Sequence, residues 1–120
     1  MTRLSPVYWF VLGAFSTLAA CGGAAVPQEQ LTSAKAAASG AEVGGAAEDP
    51  KAALHLKLAK EGIATAEHLI EEGDNEEAER ALWRAQADAE LALSLSKQTK
   101  SKAEAAEASE QLERLQKKGK

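Results

Sequence analysis

The chain of 120 residues is poor in several residue types, and each shortage excludes something. It has one cysteine, Cys21, so no disulfide can form within the chain. Of its five aromatic residues, Tyr8, Trp9, Phe10 and Phe15 precede Cys21, and only Trp83 follows it. From Cys21 onward just 15 residues are Leu, Ile or Val. That is below the roughly 20% at which a chain runs short of core-building side chains, so a thick globular core is excluded. Basic residues are also too few for a phosphate-binding face. Past Cys21 there are 13 Lys and Arg against 18 Asp and Glu, which argues against nucleic acid as a partner. No apolar run is long enough to cross a bilayer as a helix, which takes about 20 residues. What the chain has in quantity is alanine, 24 residues from Cys21 onward.

The first 20 residues read as a secretory signal. Arg3 supplies a positive start, and Val7 to Ala20 is an uncharged apolar stretch of signal-sequence length. It ends in Leu18, Ala19, Ala20 and Cys21, which resembles the bacterial lipobox. That pattern uses small residues to admit the peptidase and a thiol to form a thioether with diacylglycerol. Cys21 is therefore expected to carry the lipid, with residues 21–26 as a tether. Several acyl chains on one residue make anchoring stable where one does not. Gly22, not Asp, follows the cysteine. By resemblance to the sorting rule of enteric bacteria, this favours the outer membrane, with the chain facing the periplasm.

Residues 27–120 read as one all-α domain. A first helix is expected at about 27–39, with Pro27 in its first turn and Gly40 as its stop. Its weak apolar stripe is Leu31, Ala34 or Lys35, and Ala38. Residues 40–49 read as a Gly/Ala linker. A second helix is expected at 50–72, with Asp49 as N-cap, Pro50 at its first position and Gly73 as stop. A third is expected at about 75–116, opened by a capping box of Asp74 and Glu77, since no Gly or Pro follows before Gly119.

Spacing then sets the architecture. Ala52, Leu56, Ala59, Ile63, Ala66 and Ile70 recur at alternating steps of four and three, as do Ala78, Leu82, Ala85, Ala89, Ala92 and Ser96. Folding the chain at Gly73 and Asp74 sets Ile70 against Ala78, Ala66 against Leu82 and Ala52 against Ser96. Large residues mostly face small ones, which suits a close antiparallel coiled-coil seam. The fold expected is an Ala-rich antiparallel helical hairpin with a long C-terminal helix and a short extra N-terminal helix. Beside the seam lie Leu54, Leu58, Leu91 and Leu95. These are covered by the first helix, through Leu31 and Val43, or by a partner helix or a second copy, or else stand as plain exposed leucines. Trp83 is expected over the flank near Gly62 and Thr65, with an exposed partner contact as the alternative. The stripe past about residue 97, Ala105, Ala108, Leu112 and Leu115, is weaker.

Little in the chain carries reaction chemistry. His55 and His68 are about 220° apart around a helix and cannot share a metal. Glu71, Glu72, Glu76 and Glu77 crowd the turn and read as a solvated acidic tip, with weak divalent-cation binding as the alternative. No nucleophile–base pair, metal cluster or phosphate loop is present, so no enzyme and no cofactor are expected. The C-terminal Lys117, Lys118 and Lys120 suit a helix end. A terminal lysine on a lipidated, Ala-rich helix is also similar to the murein lipoproteins of enteric bacteria, which suggests peptidoglycan linkage as an alternative role.

The pattern of Pro27, Leu31, Ala34, Ala38, Asp49, Pro50, Leu56, Leu58, Ala59, Gly73, Asp74, Ala78, Leu82 and Ala85, ending in the run Ala87, Asp88, Ala89, Glu90, Leu91 and Ala92, resembles the bacterial lipoproteins of domain of unknown function 4398. The resemblance spans roughly residues 27–100. It implies an envelope lipoprotein with a helical hairpin and no catalytic residues. Some relatives look fused to an OmpA-like peptidoglycan-binding domain, for which this chain has no room. The expected role is a structural or adaptor module that presents a helical surface to an envelope protein or to itself.

Overall fold

The structure is a computed structural model and describes residues 23–119. Three α-helices are present among them: α1 (Gln28–Val43), α2 (Pro50–Glu72) and α3 (Asn75–Lys118). A single 3₁₀ turn at Ala46–Glu48 joins the first two.

Helix α2 begins as its residues dictate. The Asp49 carboxylate accepts from the backbone N–H groups of Lys51 (3.0 Å) and Ala52 (2.8 Å), and Pro50 occupies the first turn. Its end is a Schellman turn. Gly73 takes φ +86°, its N–H donates to Ile70 O (3.1 Å), and the Asp74 N–H donates to Leu69 O (2.9 Å). That second bond undoes the expected capping box at α3. The Asp74 N–H is already committed to Leu69, and the Asp74 side chain caps nothing. Glu77 has no free N–H to reach back to.

The first helix is longer than expected. Gly40 does not stop it, because Ala41 extends the stripe of Ala34 and Ala38 and all three are buried. The stop lies at Gly44 and Gly45. Gly45 adopts φ +83°, a conformation that demands glycine, and at Gly44 the backbone lies close against the end of the Leu93 side chain. The linker shrinks accordingly, and the 3₁₀ turn within it buries Ala46 completely. Pro27 precedes α1 and does not form part of its first turn. The long helix ends at Lys118, two residues past the expected 116.

The hairpin forms in the expected register. Ala52, Leu56, Ala59, Ile63 and Ala66 of α2 are buried against Ala78, Leu82, Ala85, Ala89, Ala92 and Ser96 of α3. Ile70, beside the turn, is half-buried. Alanine lets the helices approach closely: a Cβ added to Gly62 would lie 3.0 Å from Ala85 Cβ. Helix α1 then packs along the hairpin parallel to α3. Asn75 Nδ2 donates to Ala24 O (2.6 Å) at one end, and Ser96 Oγ donates to Gly44 O (2.7 Å) at the other. The architecture is an up-down-up set of three helices, from which the second half of α3 projects alone.

Candidate interaction surface

The seam divides the hairpin into two flanks, and the divide can be read by position. Residues one step after a seam residue face α1. On α2 these include Lys60 and Glu67, which pair with Glu42 and with Lys35 (2.5 Å). On α3 they include Glu79, which accepts from Gln30, and Leu93, which abuts Gly44. Residues one step before a seam residue face the other way. These include His55, Leu58, Gly62 and Leu69 on α2, and Ala81, Asp88, Leu91 and Leu95 on α3. No element among the described residues covers that second flank.

Leu58, Leu91 and Leu95 lie on this open flank, while Leu54, two steps from both Ala52 and Leu56, stands on the outer face of α2. Leu54 is 56% exposed, Leu58 41% and Leu91 43%, while Leu95 is half-buried against the core. Cover by α1 through Val43 does not occur, since Val43 is itself 89% exposed. Leu31 packs against the core, on the flank that already holds α1. Leu58, Leu91 and Leu95 share this flank with a polar link between the helices, where His55 Nδ1 and Asp88 Oδ1 are 2.8 Å apart. Both side chains are about a third exposed, so His55 is more enclosed than a solvated helix residue. His68 lies elsewhere and pairs one turn on within its own helix with Glu72 (3.2 Å).

Trp83 does not join this group. It sits one turn from Glu79 and Gln86, on the side of α3 that carries α1, and is 56% exposed. The expected site near Gly62 and Thr65 is closed to it, because Gly62 packs on Ala85. The leucines and the tryptophan thus form two surfaces, not one.

Past the hairpin, α3 has no partner among the described residues. Lys100 Nζ donates to Gly44 O (2.9 Å), and Thr99 Oγ1 donates to Asp49 Oδ2 (2.9 Å). Residues 101–118 are then exposed throughout, including Leu112 (60%) and Leu115 (67%). This bare stretch measures about 27 Å. Its charges come in blocks, with Glu104, Glu107, Glu110 and Glu113 before Arg114, Lys117 and Lys118.

Two residues not foreseen in these roles fasten the open end. Ser96 is 2% exposed and sits in the seam because its hydroxyl holds the Gly44 carbonyl. Asp49 both caps α2 and accepts from Thr99, tying the two helices together. The Ala52 N–H, then the Thr99 hydroxyl, hold the Asp49 carboxyl below its ordinary pKa. Only the long-range contact could signal either role, and sequence spacing carries none.

At the opposite end, a polar hollow of about 320 Å³ is lined by Ala24, Gly73, Asp74, Asn75, Glu76, Glu77 and Arg80. Among the described residues no group of three or more His, Cys, Asp or Glu is placed to hold a metal ion. None of the described helices is long and apolar enough to cross a membrane. Cys21, the preceding Leu18, Ala19 and Ala20, and Lys120 lie outside the described residues.

Comparison with known proteins adds a family to this geometry. Residues 29–118 match the family model described as "Domain of unknown function (DUF4398)". The chain belongs to that family, and the match covers all three helices. No curated protein and no solved structure matches it.

Proposed function

We propose that this chain is a non-enzymatic, lipid-anchored envelope protein that works as a structural or adaptor module, binding other helices through its own. The observation that carries the reading is the uncovered leucine flank on a unit whose seam is already complete. Leu54, Leu58 and Leu91 stay exposed although α1, α2 and α3 bury their alanine faces fully. An apolar group left open by a satisfied core is a recognition feature. The signal-like start and Cys21 support an anchor at the outer membrane, with the helices in the periplasm. The acidic balance keeps the module off nucleic acid.

The test has two arms. Cells expressing the chain are fed an alkynyl fatty acid, and labelling is compared with that of Cys21→Ser. Label and membrane association are expected to disappear in the variant. Equal labelling and equal fractionation of both would remove the anchor from the reading. In the second arm, cross-linking of whole cells is expected to trap the chain on a protein partner. A chain that stays uncross-linked at every reagent concentration would remove the adaptor role.

A further inference from the structure

Deepening the interaction-module reading and resting on it, but not on the lipid anchor, we infer that the occupant of the open flank is the bare tail of a second copy of this chain. The two unpartnered features match in length and face. The open flank runs along α3 from about residue 76 to 95, and residues 101–118 form a free helix of nearly the same extent. Two long helices laid antiparallel, overlapping end to end, place each tail along the partner's α2–α3 groove. Each end then becomes a four-helix arrangement.

The sequence of α3 specifies that register. A second stripe with steps of four and three runs down its open side through Leu91, Leu95, Gln98, Lys102, Ala105, Ser109 and Leu112. Antiparallel pairing with full overlap puts Leu95 opposite Gln98 and Ala81 opposite Leu112. It also brings Leu91 and Leu95 of both copies together around the two-fold axis. Lys102 lies over Leu91 with its stem and beside Asp88 with its ammonium.

Charge selects the direction. In this register Glu76 and Glu77 lie level with Lys117 and Lys118, while Arg80 and Arg84 lie level with Glu113 and Glu110, beside the stripe and within reach of long side chains. The two-fold repeats every pair, as an isologous interface requires. Parallel pairing would oppose each of these groups to itself. Pairing through the tails alone would leave the leucines wet. These exposed charges steer and register more than they stabilise.

The test uses the full chain in detergent and a zero-length carbodiimide, which joins lysine to carboxylate directly. Glu77 and Lys117 of one copy are about 60 Å apart on the same helix, so any link between them joins two molecules. The expected products are dimers whose peptides join Lys117 or Lys118 to Glu76 or Glu77. Reversing the tail charges, Glu110→Arg with Glu113→Arg, is expected to lower that yield at least ten-fold. Adding Arg80→Glu and Arg84→Glu to the same chain is expected to restore it. The tail lies outside the core, so circular dichroism should show an unchanged helix content in the tail variant. A monomeric mass by sedimentation at tens of micromolar overturns the proposal, as does a link yield indifferent to the reversals. Trapping on a different protein with no link between copies overturns it too, but leaves the adaptor reading standing. The absence of any partner overturns both.

Discussion

Helix α3 is one continuous helix with two environments. Its first half buries Ala78, Leu82, Ala85, Ala89, Ala92 and Ser96, while its second half buries nothing. Local propensity does not separate them, since both halves are built of strong helix formers. What differs is the content of the seam positions. The same four-and-three steps continue past Ser96 as Thr99, Ala103 and Ala106, then reach Glu110 and Glu113. The seam ends at Ser96, beside the start of α2, and the glutamates beyond it could not face an apolar partner. The leucines of the second half stand on another face altogether. Helix formation and helix packing are thus written in different positions of one helix.

Substitutions should split along that boundary. The largest effect is expected at Leu82, which is 1% exposed. Leu82→Ala should cost about 2–5 kcal/mol in urea denaturation followed by circular dichroism, through lost burial and a residual cavity. A loss below about 0.5 kcal/mol would mean the seam is loose. Next comes overpacking. Ala85→Leu drives a side chain into the close approach at Gly62 and should cost about 1–3 kcal/mol. Third, Ser96→Ala removes the donor to Gly44 O, leaving that carbonyl to Lys100, and should cost about 1 kcal/mol.

A smaller effect is expected at Asp49, and it depends on pH. Its native pKa lies below the unfolded value. Its contribution is therefore fully present above about pH 4 and is lost as pH falls through the lowered native pKa. Asp49→Asn should be less stable than the parent at neutral pH, and the gap should close in acid. A gap that is flat with pH would show that the charge of the cap is irrelevant. The smallest effect is expected at Leu112. In dilute, monomeric protein Leu112→Ala should shift stability by no more than about 0.5 kcal/mol, as for other exposed sites. A loss as large as that at Leu82 would erase the distinction between the two halves.

Much of the fold was legible because it follows a simple period. The Asp49 and Pro50 start, the Gly73 stop and both alanine stripes place the hairpin and its register. The misreadings share one cause, a competing contact. Gly40 resembles a stop, yet the burial of Ala41 carries α1 past it. Asp74 and Glu77 resemble a capping box, yet Leu69 claims the N–H that it needs. The spacing of Trp83 fits the flank of Gly62 or an exposed contact, and α1 lies on the side where the tryptophan stands 56% exposed. The leucine group was visible as a cluster. Whether α1 covered it was not, because α1 presents alanines that fit either flank.

The three helices, the hairpin register and the alanine seam follow from local propensity and spacing along one chain. The flank on which α1 lies, and with it which leucines stay open and which glycine ends α1, follows from packing between helices. Those outcomes turn on which surfaces meet in space. The Ser96 and Lys100 bonds to Gly44 and the ion pairs of Lys35 and Glu42 with α2 join residues far apart in sequence. No period along the chain records them.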